Sequence, residues 1–128
     1  MTENEISRIV VDAAVAVHQE LGPGLLETVY EVVLANELKK RGLGVERQVS
    51  VPIQWGGITF DEGFRADLIV AEKVIVELKS VATMTQAHKK QVLTYLRLTG
   101  LKLGFLLNFG EALMKDGITR VVNGLEDD

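Results

Sequence analysis

The residues of this chain best placed to do chemistry are two carboxylates in an otherwise apolar pair of predicted strands. Two segments rich in Val, Ile and Leu flank a short polar sequence at 71–73, a pattern typical of a β-hairpin. If the turn is centred on Glu72, the register places Asp67 opposite Glu77, whereas a one-residue slip would mix apolar and polar faces. Because side chains alternate along a strand, one face is then wholly apolar. That face carries Ala66, Leu68, Val70, Val74, Val76 and Leu78.

The facing carboxylates have a chemical consequence. Like charges directly opposed on a sheet are destabilising, unless one group is protonated or a cation lies between them. Mg²⁺ prefers such carboxylate oxygens and keeps several water ligands. Lys79 lies two residues beyond Glu77 and therefore points to the same side. The pattern indicates a metal site suited to attack on a phosphodiester, or else a solvated strand face neutralised by Lys79 and Arg65.

Two helical segments supply further candidates. His88, Gln91 and Tyr95 are spaced so that they share one helix face, and an amide and a phenol there could hold a phosphate or a water. Glu27 opens another predicted helix directly after a Gly-Pro-Gly sequence, where a carboxylate is favoured by the helix dipole. Ordinary packing and this dipole effect are the alternative explanations.

The predicted elements that position these residues form an α/β domain. Thr83 and Gln86 have the spacing of a capping box and predict the start of the third helix. The order of helix, helix, three strands, helix and strand implies a mixed sheet flanked by helices. The predicted helices span 5–20, 26–41 and 83–98, and the predicted strands span 45–53, 63–70, 74–80, 103–109 and 118–122.

Composition limits the class of protein. The 128 residues are sufficient for one domain with one core, so 1–128 is predicted as a single domain with its core at about 24–109. No apolar run is long enough to cross a bilayer, the first residues lack the basic start of a signal peptide, and the chain has no cysteine. We therefore expect a cytoplasmic protein without a membrane partner. The net charge of −4 argues against tight nonspecific binding of nucleic acid.

Several of these motifs together resemble a known family. The sequence Gly24-Leu25-Leu26-Glu27-Thr28-Val29-Tyr30 is similar to the signature of the GxxExxY proteins. Asp67 followed by Glu77-Leu78-Lys79 and by Gln91 to Tyr95 resembles the Asp…Glu-x-Lys and Gln-x-x-x-Tyr elements of the PD-(D/E)XK nuclease superfamily, in which GxxExxY proteins are grouped. The resemblance covers about residues 5 to 123, although Ala66 stands where the superfamily name has Pro.

The resemblance implies a restriction-endonuclease-like core of order α-β-β-β-α-β with an extra N-terminal helix. It implies a nuclease that hydrolyses nucleic acid, with DNA the expected substrate, and Mg²⁺ or Mn²⁺ held by Asp67, Glu77, the Leu78 carbonyl and Glu27, the last directly or through water. Lys79 would orient the attacking water. Gln91 and Tyr95 would hold the substrate or the nucleophile.

Other interpretations stay open at this point. The fold could serve as a non-catalytic module that binds nucleic acid or protein, or as a hydrolase of small phosphoesters. An NTPase is disfavoured because the sequence has no Gly-rich phosphate loop. With no separate DNA-binding domain, target selection would need a protein partner, an oligomer or a structural feature of the substrate. Leu101 and Leu103, near a predicted sheet edge, leave a homodimer open.

Overall fold

The computed structural model describes residues 1–126 and shows a five-stranded mixed sheet between helices. The strand order is β1-β2-β3-β4-β5, in which only β3 and β4 run parallel. The predicted α/β class and the α-β-β-β-α-β order are confirmed. The helices are α1 (Glu3–Leu21), α2 (Glu27–Lys40) and α3 (Gln86–Thr99), and the strands are β1 (Val45–Trp55), β2 (Ile58–Val70), β3 (Val74–Lys79), β4 (Leu103–Asn108) and β5 (Ile118–Val122).

The two faces of the sheet are covered by different helices. α1 and α2 contribute the residues of the larger core cluster, whose sheet members come from β2, β3 and β4. α3, the crossover between the parallel strands, packs on the other face through Leu96 and contacts Ile75 of β3. All six residues of β4 are buried because helices cover both of its faces, which explains the continuous apolar run in the sequence.

The close approach of α3 to the sheet depends on a glycine in β4. A Cβ at Gly104 would lie 2.8 Å from Val92 Cγ1 and 3.4 Å from the Ile75 carbonyl oxygen. Only a residue without a side chain therefore fits under Val92 without displacing it. This contact sets the distance between α3 and the sheet. It therefore also sets the distance from the sheet of the α3 side chains that face it.

The predicted hairpin register is confirmed. Leu68 pairs with Val76 and Val70 pairs with Val74, and Ala71 and Glu72 in the connecting turn have the positive φ angles of a tight hairpin. The predicted position of Ala66 on the apolar face of the hairpin was wrong. Ala66 belongs instead to the smaller core cluster beneath α3. The pair of Gln48 and Asp67, next to Ala66, is missing from the β1–β2 ladder, and the register of this ladder shifts further along, between Val51 and Ile53.

Two further expectations were wrong in detail. The residue that caps α3 is Thr85, not Thr83, and its partner in the capping box is His88, not Gln86. Leu103 does not lie at a sheet edge, because β5 pairs along β4 and Leu103 is fully buried. It therefore offers no surface for a homodimer. No helix among the described residues is both long and apolar enough to cross a membrane.

Candidate active site

The two candidate carboxylates lie where β2 and β3 stop pairing. The ladder of backbone hydrogen bonds reaches Leu68 and Val76 and is then replaced by side chains. The Asp67 N–H donates to Glu77 Oε2 at 2.7 Å, and the Leu78 N–H donates to Asp67 Oδ2 at 2.9 Å. Each carboxylate thus occupies a backbone donor of the opposite strand, which brings together the two groups that the sequence placed face to face.

Glu77 is a buried acid in an electrostatically unfavourable position. Its side chain is only 7% exposed, and burial raises its pKa to about 8, with the negative charge of Asp67 acting in the same direction. The hydrogen bond from the Asp67 N–H and the positive charge of Lys79 lower the pKa by smaller amounts. At neutral pH Glu77 therefore favours its protonated, uncharged form when no metal is bound.

Lys79 ends β3, and the chain beyond it is held by a buried amide. Asn108 is fully buried, its Nδ2 donates to the Val81 carbonyl at 3.0 Å, and its Oδ1 accepts the N–H groups of Val81 and Gly110. The Phe109 N–H donates to the Lys79 carbonyl at 2.8 Å. These bonds fix the backbone from the Lys79 carbonyl to Val81, so the ammonium group of Lys79 extends from a rigid strand end.

Tyr95 faces the carboxylates from α3. Its ring stacks on that of Phe64 with centroids 3.8 Å apart and an angle of 4° between the planes. Burial raises the pKa of Tyr95, and the charges of Glu77 and Asp67 raise it further, as expected for a phenol close to both acids. Gln91 lies one turn earlier on the same face of α3 and is exposed, so its amide is free to meet a ligand.

His88 is a structural residue. Its Nδ1 accepts the Thr85 N–H at 3.3 Å, and its own N–H donates to Thr85 Oγ1. This reciprocal pair caps α3 and accounts for the histidine without a role in chemistry.

The comparisons with known proteins identify the family. The family model described as the PD-(D/E)XK nuclease superfamily matches residues 4–121. The chain belongs to this superfamily. The match spans α1 to β5 and therefore contains every site residue predicted from the sequence.

A structural comparison finds a similar fold in a solved protein structure. The solved structure entitled "Crystal structure of SSO0001" superposes with a TM-score of 0.53 at 22% sequence identity, covering 92% of this chain and 67% of the other. At this identity the likeness concerns the fold alone. The comparison with curated proteins gave no match.

The donor set suits the divalent metal ions that PD-(D/E)XK nucleases generally use. Asp67 and Glu77 offer hard carboxylate oxygens side by side. Burial and, to a smaller extent, the charge of Asp67 raise the pKa of Glu77, and a cation between the two groups would favour the ionised form of Glu77. No group of three or more His, Asp or Glu side chains within residues 1–126 is close enough to hold a metal. Glu27 is thus not assembled with Asp67 and Glu77 as a third direct ligand.

Glu27 instead follows an anchored loop. It is exposed at the first position of α2, and Tyr30, one turn later, is fully buried. The Tyr30 hydroxyl donates to the Gly22 carbonyl at 2.5 Å and accepts the Leu25 N–H at 3.1 Å, while its ring stacks on Phe109. The Gly-x-x-Glu-x-x-Tyr motif therefore fixes the loop that presents Glu27.

The same loop is tied to the end of β3. Ser80 Oγ donates to the Leu25 carbonyl at 2.6 Å, which brings the start of α2 next to the residue after Lys79. Glu27 is thus held at the carboxyl end of the site strand. Its role as a further ligand stays a prediction, with the contact to the metal made through water in this arrangement.

Sequence reasoning missed two polar residues beside Asp67. Glu31 of α2 is buried with 6% exposure, and its carboxylate accepts hydrogen bonds from Arg47 and Gln48 of β1. Gln48 also contacts Asp67. The only signal in the sequence is the position of Glu31 four residues after Glu27, on the same face of α2. Nothing in the sequence singles out Gln48.

Proposed function

We propose that this chain is a Mg²⁺- or Mn²⁺-dependent nuclease that hydrolyses phosphodiester bonds of nucleic acid, with DNA as the expected substrate. One observation carries the proposal. Two carboxylates, one of them buried, meet where β2 and β3 separate, and a lysine follows two residues later on the same strand. The phenol of Tyr95 faces this pair from the next helix.

Asp67 and Glu77 would hold the metal ion, with the Leu78 carbonyl and Glu27 as further proposed ligands. When bound, a divalent metal supplies Lewis acidity and lowers the pKa of a coordinated water. The protein's own contribution is to orient the reactants. Lys79 would position the attacking water and stabilise the negative charge that develops on the phosphate oxygens.

Gln91 and Tyr95 would bind the nucleic-acid backbone. Both lie on the face of α3 that borders the carboxylates, and an amide N–H and a phenol O–H are suitable donors to phosphate oxygens. These directed donors matter because the chain as a whole is acidic, with a net charge of −4, so that general electrostatic attraction for phosphates is weak.

The motif at Gly24, Glu27 and Tyr30 supports assignment to the GxxExxY group within the superfamily. The fixed loop around Tyr30 gives this motif a physical role, because the loop presents Glu27 beside the end of β3. Weak general attraction for nucleic acid also favours a protein partner or a second copy of the chain that helps to select the target.

The test combines metal binding with cleavage. Mg²⁺ and Mn²⁺ are titrated by calorimetry into the wild type, Asp67→Asn, Glu77→Gln and Lys79→Met, and each protein is assayed on single-stranded DNA, double-stranded DNA and RNA. Asp61→Asn is the matched control, because Asp61 is an exposed carboxylate on the same strand as Asp67. Its loss removes one negative charge without altering the site.

We expect Asp67→Asn and Glu77→Gln to lose metal binding and cleavage, and Lys79→Met to bind metal but not to cleave. Asp61→Asn should behave as the wild type. Full cleavage by Asp67→Asn would contradict the proposal. Metal binding without cleavage of any of the three substrates would favour the alternative of a non-catalytic module that binds nucleic acid or protein.

A further inference from the structure

Two consecutive residues of β1 reach the same buried carboxylate. Arg47 donates to Glu31 Oε2 through Nε at 3.1 Å and Nη2 at 2.8 Å, and Gln48 Nε2 donates to Glu31 Oε1 at 2.6 Å. In a regular strand adjacent side chains point to opposite faces, so both cannot meet one group. Gln48 makes this possible because its φ is 52°, in the left-handed region that side chains other than Gly rarely adopt.

The irregular residue lies beside the candidate metal site. Arg47 pairs with Leu68 and Val49 pairs with Ala66, so the register places Gln48 directly opposite Asp67, yet this pair is missing from the ladder. The Gln48 side chain bridges the gap, with Nε2 also 3.4 Å from Asp67 Oδ1.

The chemistry of the partners fixes the orientation of the amide. Both partners of Gln48 are carboxylate oxygens, which accept hydrogen bonds when ionised, so the amide NH₂ must face them with one hydrogen for each. The carbonyl oxygen of Gln48 therefore points away from both acids.

We propose that Gln48 is a positioning residue for the Asp67 carboxylate. Glu31, whose charge is balanced by Arg47, orients the Gln48 side chain. The inference rests on the proposed function, in which Asp67 is a metal ligand. Asp67 Oδ2 is held by the Leu78 N–H and Oδ1 by Gln48 Nε2, so the carboxylate plane is restrained from both sides. A metal ligand restrained in this way needs no reorientation when the ion binds.

The left-handed backbone conformation of Gln48 allows the proposal to be tested with a glycine substitution. Gln48→Gly removes the side chain and also relieves the backbone strain, because Gly adopts a positive φ readily. Because relief of the backbone strain offsets the lost hydrogen bond to Glu31, we expect the melting temperature to stay close to that of the wild type, while the Mn²⁺ affinity falls by about 10-fold to 100-fold. A residue with a merely structural role would give the opposite signature, a lower melting temperature with unchanged affinity.

The control and the second variant isolate the contact. Gln54→Gly is the matched control, because Gln54 is an exposed glutamine of β1 in a regular part of the ladder, paired with Thr59. It should leave Mn²⁺ affinity unchanged. If Glu31 acts through Gln48, adding Glu31→Gln to Gln48→Gly should weaken Mn²⁺ binding no further, as a double-mutant cycle would show.

A readout without metal separates this inference from the proposed function. The Leu78 amide proton, which donates to Asp67, should shift upfield in the NMR spectrum of metal-free Gln48→Gly, because a released carboxylate accepts it less well. An unchanged Leu78 amide or an unchanged Mn²⁺ affinity in Gln48→Gly would overturn the inference. A wild type that binds no metal would overturn the proposed function, and the positioning role would then be decided by the Leu78 amide alone.

Discussion

Replacing Glu77 by Gln should change how the stability of the metal-free protein depends on pH. Glu77 is buried, and its pKa rises from the ordinary 4.5 to about 8 on folding. A carboxyl group whose pKa is higher in the folded state contributes stability that is fully present below the unfolded pKa and is lost as the pH rises through the folded pKa. The contribution of Glu77 to stability is therefore lost between about pH 5 and about pH 9.

The magnitude follows from the shift. Each pKa unit corresponds to 1.36 kcal/mol, so ionisation of Glu77 should remove about 4 kcal/mol from the free energy of unfolding between pH 5 and pH 9. That is a large part of the total for a domain of this size. Glu77→Gln retains an oxygen that can accept the Asp67 N–H but cannot ionise, so it should lack this decline and exceed the wild type in stability at pH 9.

The assay is urea unfolding in the presence of a chelator, at several pH values, for the wild type, Glu77→Gln and the control Asp61→Asn. Groups that titrate in every variant cancel in the difference between curves. Mg²⁺ added at pH 9 should restore stability to the wild type but not to Glu77→Gln, since binding offsets the charge repulsion only where both carboxylates are present. Parallel pH curves for the wild type and Glu77→Gln would refute the reasoning.

Three further substitutions test the surroundings of the site. Tyr30→Phe keeps the aromatic stack but leaves the loop before α2 without two hydrogen bonds, and should lower the free energy of unfolding by about 2 kcal/mol in urea titrations. Asn108→Ala removes the hydrogen-bond partners of the Val81 N–H and carbonyl groups and should lower the free energy of unfolding by about 3 kcal/mol in the same titrations. An unchanged free energy of unfolding would contradict the role of Asn108 in fixing the chain after Lys79. Phe64→Ala, made in the Tyr30→Phe background so that one tyrosine remains, should uncover Tyr95 and lower its pKa towards 10, followed by ultraviolet absorbance; an unchanged pKa would argue against burial as its cause.

The parts of the fold that could be predicted are those set by local pattern. Alternation and the short polar turn fixed the register of the β2–β3 hairpin, because a slip would have buried charges and exposed Val and Leu. The same register brought Asp67 and Glu77 together. A pattern with period two is thus sufficient to locate a pair of catalytic candidates without knowledge of the rest of the sheet.

The details that failed depend on competition between similar local signals or on distant contacts. Thr83 and Thr85 both have a partner three residues later, and the sequence alone could not show that His88 completes the box. Ala66 lies in the other cluster, next to the position where the pair of Gln48 and Asp67 is missing from the ladder, and this gap involves a residue of another strand. The contacts of Gln48 span three elements, α2, β1 and β2, and no pattern along one segment could reveal them.

The position of the site within the sheet has a physical reason of its own. At the turn end of the hairpin β2 and β3 pair closely, through Val70 and Val74, whose side chains are buried in the core formed with α1 and α2. At the other end β3 stops at Lys79 while β2 continues, so the sheet opens beside the carboxyl ends of its only parallel pair among the described strands, β3 and β4. Ligands in α/β proteins bind at such ends because the loops there can be shaped without disturbing the core. A buried acid such as Glu77 is tolerated at this end, where the positive charge of Lys79 acts on it and the Tyr95 phenol faces it.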